Sequence, residues 1–67
     1  MIWTDVNDKL PNSGKAVLLR TKEGEFHEGH FLKNANYRVR NVNRWKIYKQ
    51  NKYFDFNKVV EWAEMPE

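Results

Sequence analysis

Apolar and polar positions alternate in twos along much of this chain. In residues 37–42, Tyr37 and Val39 oppose Arg38 and Arg40; in residues 44–49, Trp45 and Ile47 oppose Arg44, Lys46 and Tyr48. Period-2 spacing sends successive side chains to opposite faces of a strand, so these segments predict strands with one apolar and one charged face. Residues 15–22, KAVLLRTK, are apolar on both faces from Ala16 to Leu19, a pattern that belongs in the middle of a sheet. Glu23-Gly24 then reads as a two-residue hairpin, because Gly accepts the positive φ that tight hairpins require. Residues 25–32, EFHEGHFL, return as the partner strand, and Gly29 inside them marks a bulge or a close backbone approach. Residues 59–65, VVEWAEM, form a last strand before Pro66.

Turn signals separate these runs: Pro11 to Gly14, Lys33 to Asn36, and Gln50-Asn51. Residues 4–10, TDVNDKL, fit one helical turn capped by Thr4 or Asp5 and stopped before Pro11, too short to stand alone. Helical spacing explains no other segment. The expected fold is mainly β: a single small domain over residues 1–67, an antiparallel β-meander of four or five strands with at most a short N-terminal helical turn.

At 67 residues, the core is close to the lower limit for folding unaided. Such a core supplies about 3–5 kcal/mol unless something staples it, and the absence of cysteine removes disulfides and thiolate metal sites. Three Trp, three Tyr and four Phe remain as the resource. Each buried ring takes roughly 150–250 Å² out of water, so the aromatics are first of all core. Trp3, Trp45 and Trp62 read as core or rim anchors, one per third of the chain. No apolar run is long enough for a membrane span and no leader pattern is present, so a cytoplasmic protein is expected.

Charge changes the picture. The net +3 conceals a near-neutral opening, residues 1–32, and an acidic close carrying Glu61, Glu64 and Glu67. Between them, residues 33–58 hold eight Lys or Arg against Asp55 alone. That is a statement about surface and partners, not about fold.

Few residues suggest catalysis. His27-Glu28-Gly29-His30 looks like the H-E-x-x-H zinc motif, but that motif needs two His four apart on one helix face. Here the spacing is three on a strand, which points the two rings to opposite faces. Aliphatic hydroxyls are confined to Ser13, Thr4 and Thr21, and there is no thiol nucleophile, Gly-rich phosphate loop or close carboxylate pair. A chain that spends its apolar residues on a core has little wall left for a pocket of ~300–1,000 Å³. The expectation is a non-enzyme with no metal and no cofactor.

The basic aromatic stretch YRVRNVNRWKIYKQNKYF, residues 37–54, is the candidate surface. Alternation assigns Trp45, Ile47 and Val39 to structure, leaving Arg38, Arg40, Arg44, Lys46, Tyr48 and Lys49 as candidate binding residues. Three readings compete. A small β-protein must solubilise its outer face and guard its edges, and Lys does both. Nucleic acid would use the cations for phosphates and Tyr48 and Tyr53 for stacking. An acidic protein surface would use the same Arg and Tyr as anchors, with charge steering the encounter.

The two ends of the chain resemble a known family. Trp3-Thr4-Asp5-Val6, Leu10-Pro11 and Gly14-Lys15-x-Val17-Leu18-Leu19 are similar to the opening of domain-of-unknown-function family 551. Val59, Trp62, Pro66 and Glu67 resemble its close, and Trp45 falls where the family's middle Trp falls. The closing segment departs from the frequent T-H-W-M-P-L-P pattern: Glu61 replaces the His, and Glu64 the first Pro. The middle is longer and more basic than usual. The resemblance implies a small phage, prophage or bacterial domain without an established activity, and supplies a setting rather than a mechanism. Joined to the charge pattern, it leads to the expectation of a non-enzymatic phage-type protein that occupies an acidic surface of a host or phage protein, acting as a host-factor inhibitor. A sequence-nonspecific nucleic-acid binder is the alternative, and oligomeric state is left open.

Overall fold

The computed structural model describes residues 1–37 and 40–66, with side chains for residues 1–33 and 42–66. Its strands are β1 (Thr4–Asp5), β2 (Ala16–Thr21), β3 (Phe26–Tyr37), β4 (Arg40–Ile47), β5 (Lys52–Asp55) and β6 (Val59–Glu64), with a 3-10 turn at Phe56–Lys58. They form one antiparallel six-stranded sheet in the order β1-β6-β2-β3-β4-β5. The mainly antiparallel β expectation holds. β2 to β5 run as a meander, and β6 then crosses back to pair with β2. That crossing encloses β2 between β6 and β3, the central position its two-sided apolar run requires.

Several local expectations change. Residues 33–36, read as a turn, continue β3, with Ala35 opposite Val42 and Asn36 opposite Asn41. A register shift between Leu32 and Ala35 absorbs the extra residue there, a β-bulge that composition alone does not distinguish from a turn. In consequence Tyr37 ends β3, whereas residues 40–47 form a single strand; the expected pair at 37–42 and 44–49 does not exist in that form. Four residues, Lys22 to Glu25, separate β2 from β3, rather than two. Thr21 N donates to Glu25 O at 2.9 Å and Gly24 sits at φ +84°. Residues 4–10 open as a two-residue strand, Thr4 and Asp5 bridging to Trp62 and Glu61, before the expected single turn capped by Asp5. In that turn Asp8 and Lys9 N–H donate to Asp5 O and Asn7 N–H donates to the Asp5 carboxylate.

One face of the sheet is packed. Val17, Leu19, Phe31, Trp45, Ile47, Phe54, Val59 and Trp62 form its core, covered by Val6, Leu10 and Phe56. Two indoles pin the cover. Trp62 Nε1 donates to Lys9 O at 2.8 Å, holding the N-terminal segment down. Trp45 Nε1 donates to Phe56 O at 3.1 Å, and its ring stacks on Phe56 at 6.1 Å. Each ring therefore buries its apolar body and satisfies its N–H at once, as a buried Trp requires. Ser13 completes the cover, donating to Phe31 O and accepting from Lys33 N.

Candidate binding face

The second face of the sheet carries the charge. Cross-strand pairing sets its rows: Leu18 beside Ala63 and Glu28, Ala16 beside His30, His30 beside Lys46, Lys46 beside Tyr53, and Leu32 beside Arg44 beside Asp55. Arg44 and Lys46 fall here because their neighbours Trp45 and Ile47, both fully buried, point to the core. Within residues 44–47 the sequence-derived division into a structural and a basic face is thus the observed one.

Tyr53 organises the basic group. The Arg44 guanidinium lies 4.9 Å and the Lys46 ammonium 4.6 Å from its ring centroid, a cation–π arrangement that holds two like charges side by side. Lys46 also donates to Asn51 Oδ1 at 2.6 Å. Asn51 adopts φ +48°, the left-handed position that closes the β4–β5 turn and that Asn tolerates better than most residues. On the other side, His30 Nδ1 and the Tyr48 hydroxyl are 2.7 Å apart. Burial, and then the neighbouring Lys46 charge, hold the His30 imidazole below its ordinary pKa.

Of the expected site residues, Arg44 and Lys46 share the Tyr53 ring, Tyr48 stands beside them on His30, and Lys49 is exposed in the following turn. Arg40 has its backbone in β4 opposite Tyr37, but its side chain lies outside the described residues, as does all of Arg38. Sequence reasoning left out His30 and Tyr53 from the final site. The signal for both is register: each occupies the row of Lys46, which no single strand's alternation reveals. His27 and His30 do face opposite sides; His27 packs edge-on against Phe54, while His30 meets Tyr48. Trp3 is the surprise among the anchors. It is half-buried and contacts Phe26 at 5.7 Å, and Phe26 pairs with Arg20 on the second face of the sheet.

Ion pairs divide the molecule. Arg20 of β2 meets Glu61 of β6 and Lys15, just before β2, meets Glu64 of β6, both at 2.6 Å, and Lys58 meets Glu23 at 2.8 Å. Asp55 stands opposite Arg44 in the ladder. Among the described residues no acidic side chain pairs with Lys46, Lys49 or Lys52.

The features together define a class: a small single-sheet β protein whose core lies on one face and whose other face is polar, aromatic and partly basic. Over residues 2–67 the chain matches the family described as "Protein of unknown function (DUF551)", and it belongs to that family. No curated protein and no solved structure matches it. No helix among the described residues is long and apolar enough to cross a membrane.

Proposed function

We propose that this chain is a non-enzymatic binding protein of phage type that lays the basic aromatic end of its second sheet face on an acidic surface of a host or phage protein in the bacterial cytoplasm. One observation carries the reading: Lys46 is fixed by Asn51 and Tyr53, neither of them an acid, so its charge is positioned but not neutralised. A side chain already held in place loses less rotamer freedom on binding, and an ammonium without a carboxylate favours an acidic partner. Lys49 and Lys52 extend the same field around the β4–β5 turn. Base stacking is less favoured by the geometry. Two cations already lie over the Tyr53 ring, and the Tyr48 hydroxyl is engaged by His30, whereas single-stranded nucleic acid needs free ring faces.

Charge reversal tests the proposal. A variant carrying Lys46→Glu, Lys49→Glu and Lys52→Glu is compared with the wild type for capture of host proteins, with thermal melting as the folding control. The expected result is a discrete acidic protein bound by the wild type in a salt-sensitive manner and lost by the folded variant. Equal capture by both would remove this end of the face as the site. Random duplex DNA is titrated in parallel. Binding with a log–log salt slope near −5, about −0.9 for each of six phosphate contacts, would replace the acidic protein with nucleic acid.

A further inference from the structure

The second sheet face has an apolar half beside its basic half, and the proposed function does not use it. Phe26 is 66% exposed, unlike Phe31 and Phe54, which are buried. Trp3 lies against it, Met1 and Ile2 are exposed in the same segment, and Leu18 is half-buried in the neighbouring row. The last ladder contact between β3 and β4 is Tyr48 N donating to Glu28 O, after which β4 turns away. Where the strands part, a cleft of about 260 Å³ opens, lined by Leu18, Phe26, His27, Glu28, Ile47 and Lys49. Leu18, Phe26 and Ile47 supply its apolar wall, His27 and Glu28 its polar one, and Lys49 of the basic turn its rim.

We infer that this cleft is an anchor subsite for one large apolar side chain of the acidic partner, Phe26 and Leu18 receiving the side chain while Lys49 and Lys46 meet carboxylates flanking it. The inference rests on the acidic-partner reading and adds to it the chemistry of the recognised segment: an aromatic or branched aliphatic residue set among Asp and Glu. Volume supports a side chain over a free metabolite, since small-molecule pockets run to ~300–1,000 Å³. Charge supports an acidic segment over a second copy of this chain. A face-to-face copy sharing the Phe26 patch would bring a second field of Lys46, Lys49 and Lys52 to the same cleft rim, where Glu28 is the one carboxylate among the lining residues. Interfaces commonly join such a desolvated anchor to a charged rim. Phe26 contributes little to the packed core, so it can be removed without unfolding the chain.

Three synthetic peptides make the test: an Asp/Glu-rich peptide with one central Phe, the same peptide with Ser in place of Phe, and a Gly/Ser/Asn peptide with the same Phe. Each is titrated into the ¹⁵N-labelled protein. The acidic Phe peptide is expected to bind at least about tenfold more tightly than its Ser twin, moving the amides of Leu18, Phe26 and Lys49. Phe26→Ser, with its melting temperature close to wild type, should abolish that tenfold difference; Lys46→Glu should weaken both acidic peptides alike. Equal binding of the two acidic peptides overturns the subsite and leaves the acidic-partner reading standing. Equally tight binding of the uncharged Phe peptide keeps the subsite and overturns that reading. No binding by either Phe peptide overturns the subsite. Concentration-dependent self-association that Phe26→Ser removes would assign the cleft to a second copy and likewise overturn the inference.

Discussion

Gly29→Ala should be among the most damaging small substitutions in this protein. A Cβ at position 29 would stand 1.9 Å from the carbonyl oxygen of Lys46, 3.1 Å from its carbonyl carbon and 3.2 Å from Leu19 Cδ1. Ordinary contact begins at 3.4 Å, so β4 would have to withdraw from β3 by about 1.5 Å near its C-terminal end. A ladder bond of ~2.9 Å stretched that far passes 4 Å and is lost. Two such bonds at ~0.5–1.5 kcal/mol, with an overpacking cost of ~1–3 kcal/mol, place the loss at about 3 kcal/mol. A core of this size supplies only ~3–5 kcal/mol. For a domain of 60–100 residues each kcal/mol moves the melting temperature by ~4–8 °C, so a fall of about 12–24 °C is expected. Urea unfolding followed by tryptophan fluorescence gives the free energy directly, since Trp45 is fully buried in the strand that must move. Gly24→Ala is the control. Gly24 has φ +84° with nothing within 4 Å, so that substitution carries only the left-handed penalty of ~1–2 kcal/mol. Were Gly29→Ala to melt within about 4 °C of wild type, or to cost no more than Gly24→Ala, the close approach of β3 and β4 would be refuted.

Trp62→Phe keeps a ring in the core but removes the donor to Lys9 O, loosening the N-terminal cover. The expected loss is ~1–2 kcal/mol in urea, against ~3–5 kcal/mol for Trp62→Ala; equal losses in the two variants would show that the ring's volume contributes nothing. Stability should also fall as acid protonates His30. Burial and Lys46 hold its pKa below the ordinary 6.5, so between those values the unfolded chain binds more protons than the native state. The contribution is therefore fully present above about pH 6.5, declines as pH falls toward the lowered native value, and is constant below it. His30→Gln should flatten the urea midpoint across that window, and an unchanged pH slope would exclude His30 as its source.

The strands were legible where one chain segment carries the whole signal. β2 was placed centrally by its apolar run, β4 by the alternation of Trp45 and Ile47 with Arg44 and Lys46, and Gly29 by being a glycine inside a strand. What failed to show depends on pairing. Residues 33–36 have turn composition, yet the opposite strand extends them, and the bulge that accommodates them belongs to the pair. The short β5, hidden behind Gln50-Asn51, is defined by Phe54 meeting Trp45 rather than by its own pattern. For the site the same limit applies. Lys46 could be assigned to an outer face, but its neighbours His30 and Tyr53 come from the two adjacent strands and are brought alongside only by register.

The two faces of the sheet divide the sequence between fold and recognition. The residues that carry the family resemblance mostly build the packed side: Trp62 pins the segment ending in Leu10-Pro11, Trp45 pins Phe56, and Val17 and Val59 are core. The backbone of Gly14, at φ +84°, donates to Phe31 O and turns the chain into β2. None of these side chains is offered to solvent as a contact surface. Family membership therefore accounts for how the chain folds, and the proposed partner is read by residues of β4, its following turn and the exposed row of β3, with Leu18 of the family motif in the cleft wall. A single-layer sheet makes that division possible. Its core needs one face only, so Lys46, Tyr48, Phe26 and Lys49 can be exchanged with little effect on the Trp-pinned cover. Substitutions on the second face should consequently alter binding at nearly constant stability, whereas substitutions at Trp45 or Trp62 should alter stability first.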